Sequence, residues 1–157
     1  YELMDVKKDY QKACIGIVKK RVYATIEGLG IKVDENPNFD WYYGIIDLEF
    51  WLKKYVDADC VAWIRKNIHP LDIVFRLAED YGIVLLNGGG FEAPDWSVRV
   101  SFANLDDHVY DDIGRAVRAI ARGYVQAYEA STGALAARQA SGAPTGKSVK
   151  DKRTKGR

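Results

Sequence analysis

A lone arginine between two valines, in Ser97-Val98-Arg99-Val100-Ser101-Phe102, is the residue of this 157-residue chain best suited to do chemistry. A strand sends successive side chains to opposite faces, so Arg99 shares its face with Ser97 and Ser101, a polar face, while Val98 and Val100 point the other way. Two readings follow. Arg99 is a solvated edge residue or one half of a structural salt bridge. Alternatively, its planar guanidinium, held on a rigid strand, offers two parallel N–H donors to a carboxylate. Periodicity does not choose between them.

The other candidates are weaker. Exposed backbone N–H groups in Asn87-Gly88-Gly89-Gly90 could cradle an anion. No Lys-Ser/Thr pair follows, however, and the segment leads into a strand and not into a helix. It reads as a tight turn, either purely structural or lying beside a ligand. His69, before Pro70, is a turn residue, and His108 a neighbour of a helix cap; neither has the partners of a triad. Asp106-Asp107 and Asp111-Asp112 fall near a helix start, where the dipole favours negative charge, so they cap and do not bind metal. Cys14 and Cys60 stand apart from each other and from any Cys-x-x-Cys or Cys/His cluster, so neither zinc nor a disulfide framework is expected.

The elements that must position these residues follow from spacing. Val6, Tyr10, Cys14, Ile15, Val18, Val22 and Ile26 recur every three or four residues, which predicts a helix over 5–27 ended by Gly28 and Gly30. Residues 34–38 are a loop, and the aromatic and β-branched run at 42–48 a strand. Helical spacing resumes at Glu49, with a second short helix over 58–68. Pro70 opens a helix over 71–81 that Gly82 stops. Residues 83–86 form a short apolar strand, 87–90 a turn and 97–102 a strand. Asp106 or Asp107 caps a last helix, which runs to about Tyr128. The order implies an α/β domain with a small sheet packed against helices.

Composition bounds the rest. Nearly half the residues are apolar, enough for one core. Residues 131–157 hold seven basic residues against Asp151, a net +6, which leaves −5 on residues 1–130. An acidic body argues against a general nucleic-acid surface, and no apolar run approaches the roughly 18 residues of a membrane span. The Ser/Thr/Gly/Ala- and lysine-rich stretch 131–157 is expected to be a disordered basic tail, solvated or touching nucleic acid. Trp41, Tyr42, Tyr43, Phe50, Trp51, Tyr55 and Trp63 read as core or interface. The opening residues have no leader-like pattern, which leaves the cytoplasm as the default.

The stretch from Pro70 to Ile120 resembles the C-terminal segment of class I/II aminotransferases of the fold-type I pyridoxal-phosphate superfamily. There a helix leads to a strand, a glycine-rich turn, and a strand whose arginine precedes the last helix. The matching parts are Gly82-Ile83-Val84-Leu85-Leu86, Asn87-Gly88-Gly89-Gly90-Phe91 and Ser97-Val98-Arg99-Val100-Ser101-Phe102-Ala103. Together with Tyr42-Tyr43-Gly44-Ile45-Ile46-Asp47-Leu48-Glu49-Phe50-Trp51-Leu52 and Pro70-Leu71-Asp72-Ile73-Val74-Phe75-Arg76-Leu77-Ala78, these strings are similar to the branch of aspartate 4-decarboxylases that also transaminate aspartate. The resemblance covers roughly residues 1–130.

It implies the small C-terminal domain of that fold, over 1–130, with the long helix over 1–28 leading into it. It implies that Arg99 binds the α-carboxylate of L-aspartate as a bidentate pair, with pyridoxal 5′-phosphate as cofactor. The reaction implied is aspartate to alanine plus CO2, with aspartate aminotransferase activity beside it. An aminotransferase for another amino acid and a non-catalytic α/β interaction module are the alternatives. In the family the lysine that carries the cofactor lies upstream, in a large domain, and no lysine here sits in a matching motif. No catalytic residue and no metal ligand is therefore carried over, and the chain by itself should be inactive. The implied partners are that large domain and further copies of the chain, with neither nucleic acid nor membrane.

Overall fold

The computed structural model describes residues 2–34, 36 and 38–140, with side chains over 8–133 apart from those two gaps. The chain begins with a long helix, α1 (Glu2–Leu29), followed by a short strand, β1 (Tyr43–Asp47). Three helices come next: α2 (Leu48–Tyr55), α3 (Ala58–Asn67) and α4 (Asp72–Tyr81). A two-residue strand β2 (Leu86–Asn87), a 3-10 turn (Gly88–Phe91), strand β3 (Ser97–Ser101) and the long helix α5 (Val109–Ala140) complete it.

Local chemistry sets the boundaries. Asp47 caps α2 by accepting from the Phe50 N–H at 3.0 Å, and Asp57 caps α3 by accepting from the Cys60 N–H at 2.6 Å. Gly82, at φ +66°, ends α4; its N–H bonds the Ala78 carbonyl and the Ile83 N–H bonds that of Leu77. This cap draws Ile83 into the helix terminus. The expected strand over 83–86 therefore shrinks to Leu86, which pairs with Arg99, and Asn87, which pairs with Val98.

The sheet is antiparallel, in the order β1-β3-β2. Bonds from Leu48 N–H to the Trp96 carbonyl and from Phe102 N–H to the Tyr42 carbonyl, both 2.9 Å, carry the β1–β3 pairing a residue past each end. Val98 and Val100 are fully buried, and Ile46, opposite Val98, is 7% exposed. They meet Ile73 and Leu77 of α4, Cys60, Val61 and Ile64 of α3, and Tyr110, Ile113, Val117 and Ile120 of α5 in one cluster. The helices thus cover one face of a small sheet, the expected α/β layering. The other face carries Arg99.

On α4 and α5, Tyr124 donates to Asp72 Oδ2 at 2.7 Å. Burial, reinforced by that carboxylate, pushes the phenol well above its ordinary pKa, so it remains a donor.

The contacts of α1 and α5 advance together, from Arg21 against Asp107 to Gly30 against Arg118, so the two helices run in the same sense. Their backbones touch where Gly28 meets Gly114. Gly28 lies inside the last turn of α1, and the stop is Gly30 alone, at φ +67°. Among the described residues of the expected α1 stripe, those around Val18, Val22 and Ile26 pack on the core. Tyr10, Ile15 and Ile17 are exposed because α5 begins alongside Arg21 and does not reach them.

Asp107 is a tether between α1 and the approach to α5. Its carboxylate takes the Arg21 Nε–H at 2.6 Å and lies 3.5 Å from Lys20 Nζ, while Arg21 also donates to the Phe102 carbonyl at 3.0 Å. The hydrogen bond from Arg21 holds the Asp107 carboxyl below its usual range. A lowered pKa stabilises the fold above the ordinary carboxylate value, and that contribution disappears as pH falls through the lowered one. The stability gap between wild type and Asp107→Asn should stay constant from pH 7 to about 5 and close below about pH 4 in thermal unfolding.

The expected end of α5 at Tyr128 and the expected disorder from Ser131 are corrected, because the helix continues to Ala140. Residues 129–140 are rich in alanine, the strongest helix former, and have no proline. Ser131 and Thr132 donate to the Tyr128 carbonyl at 2.8 and 3.1 Å, which satisfies their hydroxyls without leaving the helix. The remainder of the expected tail, 141–157, lies outside the described residues. No helix among the described residues is long and apolar enough to cross a membrane.

Candidate functional site

Arg99 sits at the centre of β3 with a neighbour on each side: Ile45 of β1 and Leu86 of β2 lie directly opposite it in the ladder. Tyr43 is the diagonal neighbour on the same face, within reach of a long side chain. The Arg99 guanidinium carbon lies 3.8 Å from the centre of the Tyr43 ring and 4.3 Å from that of Phe91. Two aromatic rings therefore lie against a cation with five N–H donors.

The structural salt bridge that the sequence left open is not formed. Among the described residues no carboxylate pairs with Arg99, and no acceptor takes any of its N–H groups. Other arginines are satisfied: Arg65 by Glu49, and Arg115 by Asp111 at 2.5 Å and Asp112 at 2.9 Å. Nor is the face of Arg99 simply polar. Tyr43, Ile45, Leu86 and Phe91 are all exposed there, and they surround one unpaired cation with apolar surface. The Ser101 hydroxyl, on the same face, is buried with no hydrogen-bond partner among the described residues.

The glycine-rich turn puts Phe91 in place. Asn87 accepts from the Gly89 N–H at 2.9 Å and donates to the Asp95 carbonyl at 2.9 Å, which pins both ends of the loop. Glu92 then reverses the chain in the left-handed region, at φ +58°. Gly88 rests on Ser97, which is fully buried and donates to the Pro94 carbonyl at 2.6 Å. A Cβ on Gly88 would fall 1.9 Å from the Ser97 hydroxyl oxygen. Gly88→Ala is accordingly expected to destabilise the protein by about 2 kcal/mol in urea unfolding. Gly90→Ala, with nothing within 4 Å, should stay close to wild type.

The other sequence candidates lie elsewhere. His69 accepts from the Leu71 N–H at 3.2 Å, as a turn residue does. Asp111 and Asp112 occupy the first turn of α5. Cys14, on α1, and Cys60, buried in α3, are free thiols, and burial raises the Cys60 pKa. A cavity of about 200 Å³ lined by Val22, Ile26, Phe39, Trp41, Trp51 and Phe102 shares only Ile45 with the surroundings of Arg99. Among the described residues no group of three or more His, Cys, Asp or Glu side chains could hold a metal ion.

Sequence reasoning missed Tyr43 and Phe91 as companions of Arg99. Both were visible as aromatics, but their meeting depends on the β1–β3 register and on the path of the turn, neither of which the strand's own alternation encodes.

The side chains around Arg99 do not by themselves fit pyridoxal phosphate. None of Tyr43, Ile45, Leu86, Phe91, Ser97 and Ser101 is a lysine, and the Gly89 N–H that could meet a phosphate is taken by Asn87. What they form is a guanidinium that is unpaired among the described residues and set in apolar surroundings.

Over 130 residues, 83% of its length, the chain is 35% identical to the bifunctional aspartate aminotransferase and L-aspartate beta-decarboxylase of a Pseudomonas species. The match covers 24% of that protein, so the chain spans about a quarter of the curated relative it matches. No protein-family model matches the chain. That relative is named for two activities on aspartate, transamination and beta-decarboxylation.

Proposed function

We propose that this chain is the carboxylate-binding C-terminal part of a pyridoxal-phosphate enzyme that converts L-aspartate to alanine and CO2, with aspartate transamination as a second activity. The observation that carries the proposal is the Arg99 guanidinium, against the Tyr43 and Phe91 rings and without an acceptor for its N–H groups among the described residues. The likeness to an enzyme that transaminates and decarboxylates aspartate supplies the substrate.

In this reading Arg99 donates two parallel N–H bonds to the substrate α-carboxylate. Fixing that group fixes the bonds at Cα relative to the reacting centre, which removes rotational freedom before the chemical step. The apolar side chains of Ile45 and Leu86 keep water from competing for the pair and so strengthen it. Pyridoxal phosphate, if bound, would supply an electron sink at Cα, and the lysine to hold it would have to come from outside this chain. The large domain and further copies of the chain are the proposed partners. Tyr10, Ile15 and Ile17 on α1 and the face around Arg99 are apolar surfaces suited to such contacts. We place the enzyme in the cytoplasm.

The test is to supply the longer protein with L-aspartate and follow CO2, alanine and keto acid together. The proposal expects alanine and CO2 in equal amounts with a lesser yield of keto acid, and no turnover by residues 1–157 alone. Keto acid without CO2, or turnover only with another amino acid, would replace it by an aminotransferase of different specificity.

A further inference from the structure

The geometry points to Tyr43 and Phe91 as positioning residues that fix the plane of the Arg99 guanidinium and so set the angle at which a carboxylate is taken. This rests on the reading of Arg99 as the carboxylate ligand. A guanidinium at the end of a flexible stem binds a carboxylate through two donors only when its plane is held. Here no hydrogen bond among the described residues orients Arg99. What remains is stacking: Tyr43 at 3.8 Å and Phe91 at 4.3 Å.

The two rings come from separate parts of the fold, β1 and the turn after β2, on either side of β3. With the two rings against the guanidinium carbon, a carboxylate would approach along the edge. A carboxylate arriving there meets both donors in their own plane, the geometry of the bidentate pair. Stacking on a ring also requires a planar cation, so lysine cannot substitute for Arg99. Tyr43 and Phe91 are both exposed, so shortening them leaves the core intact.

The measurement is the affinity of the longer protein for succinate, an unreactive dicarboxylate, with KM and kcat for L-aspartate alongside. Tyr43→Leu and Phe91→Leu should each weaken succinate about tenfold, with the loss falling on KM more than on kcat. Tyr43→Phe and Phe91→Tyr should restore most of it, because the ring and not the hydroxyl does the bracing. Adding Tyr43→Leu to Arg99→Ala should cause no further loss, as expected of a residue that acts through Arg99. Independently of activity, the Arg99 Nε–H proton should resonate upfield through the ring currents and move back in either leucine variant. If the leucine variants keep wild-type affinity while Arg99→Ala loses it, the positioning role is wrong and the carboxylate reading stands. If Arg99→Ala itself binds succinate normally, the carboxylate reading falls and takes this inference with it.

Discussion

Arg99→Ala is expected to weaken aspartate binding by about 3 kcal/mol, roughly a hundredfold, the cost of removing a bidentate charged pair from apolar surroundings. The loss should appear in KM and in the affinity for unreactive dicarboxylates, whether or not turnover is measured. Arg99→Lys should recover only a small part of it, since an ammonium keeps the charge but loses both the fork and the stacking on Tyr43 and Phe91. The fold should tolerate the change. Arg99 has no ion pair or hydrogen bond among the described residues, so thermal unfolding should shift by only about the 1 kcal/mol that the ring contacts contribute. A large binding loss with a small stability loss marks a ligand group and not a structural one.

The second large effect concerns the frame. Gly114→Ala is expected to destabilise the protein by about 3 kcal/mol, the upper range for forcing an extra methyl into a filled site. A Cβ there would lie 2.3 Å from the Thr25 carbonyl oxygen, 2.7 Å from Leu29 N and 2.9 Å from Gly28 Cα. All three are backbone atoms, so no flexible side chain can swing aside, and α1 must back away from α5. Gly133→Ala, in the same helix but with nothing within 4 Å, should instead stabilise by about 1 kcal/mol through helix propensity alone. Chemical unfolding of the two variants separates the crossing from propensity, and equal effects would mean that the helices do not meet at Gly114.

Much of this frame was legible because each helix carries its own signals. Gly30 and Gly82 mark helix ends, and β-branched runs announce β1 and β3, whereas the caps at Asp47 and Asp57 emerge only from the structure. What was not legible depended on partners distant in sequence. Ile83-Val84-Leu85 looks like a strand, yet Ile83 is claimed by the Gly82 cap. Gly28 read as a stop because nothing local revealed that α5 presses against it. The apolar stripe of α5 fades near Tyr128, but alanine propensity carries the helix on to Ala140.

Arg99 shows the same division. Its strand, its face and its suitability for a carboxylate could be read directly. That no acid among the described residues pairs with it, and that Tyr43 and Phe91 lie against it, depends on the tertiary fold.

The most direct test of the central claim pairs a protein deletion with a substrate deletion. Binding of L-aspartate and of 3-aminopropanoate, which is aspartate without its α-carboxylate, should be compared in the longer protein with Arg99 intact and with Arg99→Ala. If Arg99 grips the α-carboxylate, wild type should favour aspartate about a hundredfold, and the preference should nearly vanish in the variant. A preference that survives the loss of Arg99 would contradict the claim and place the α-carboxylate on another residue.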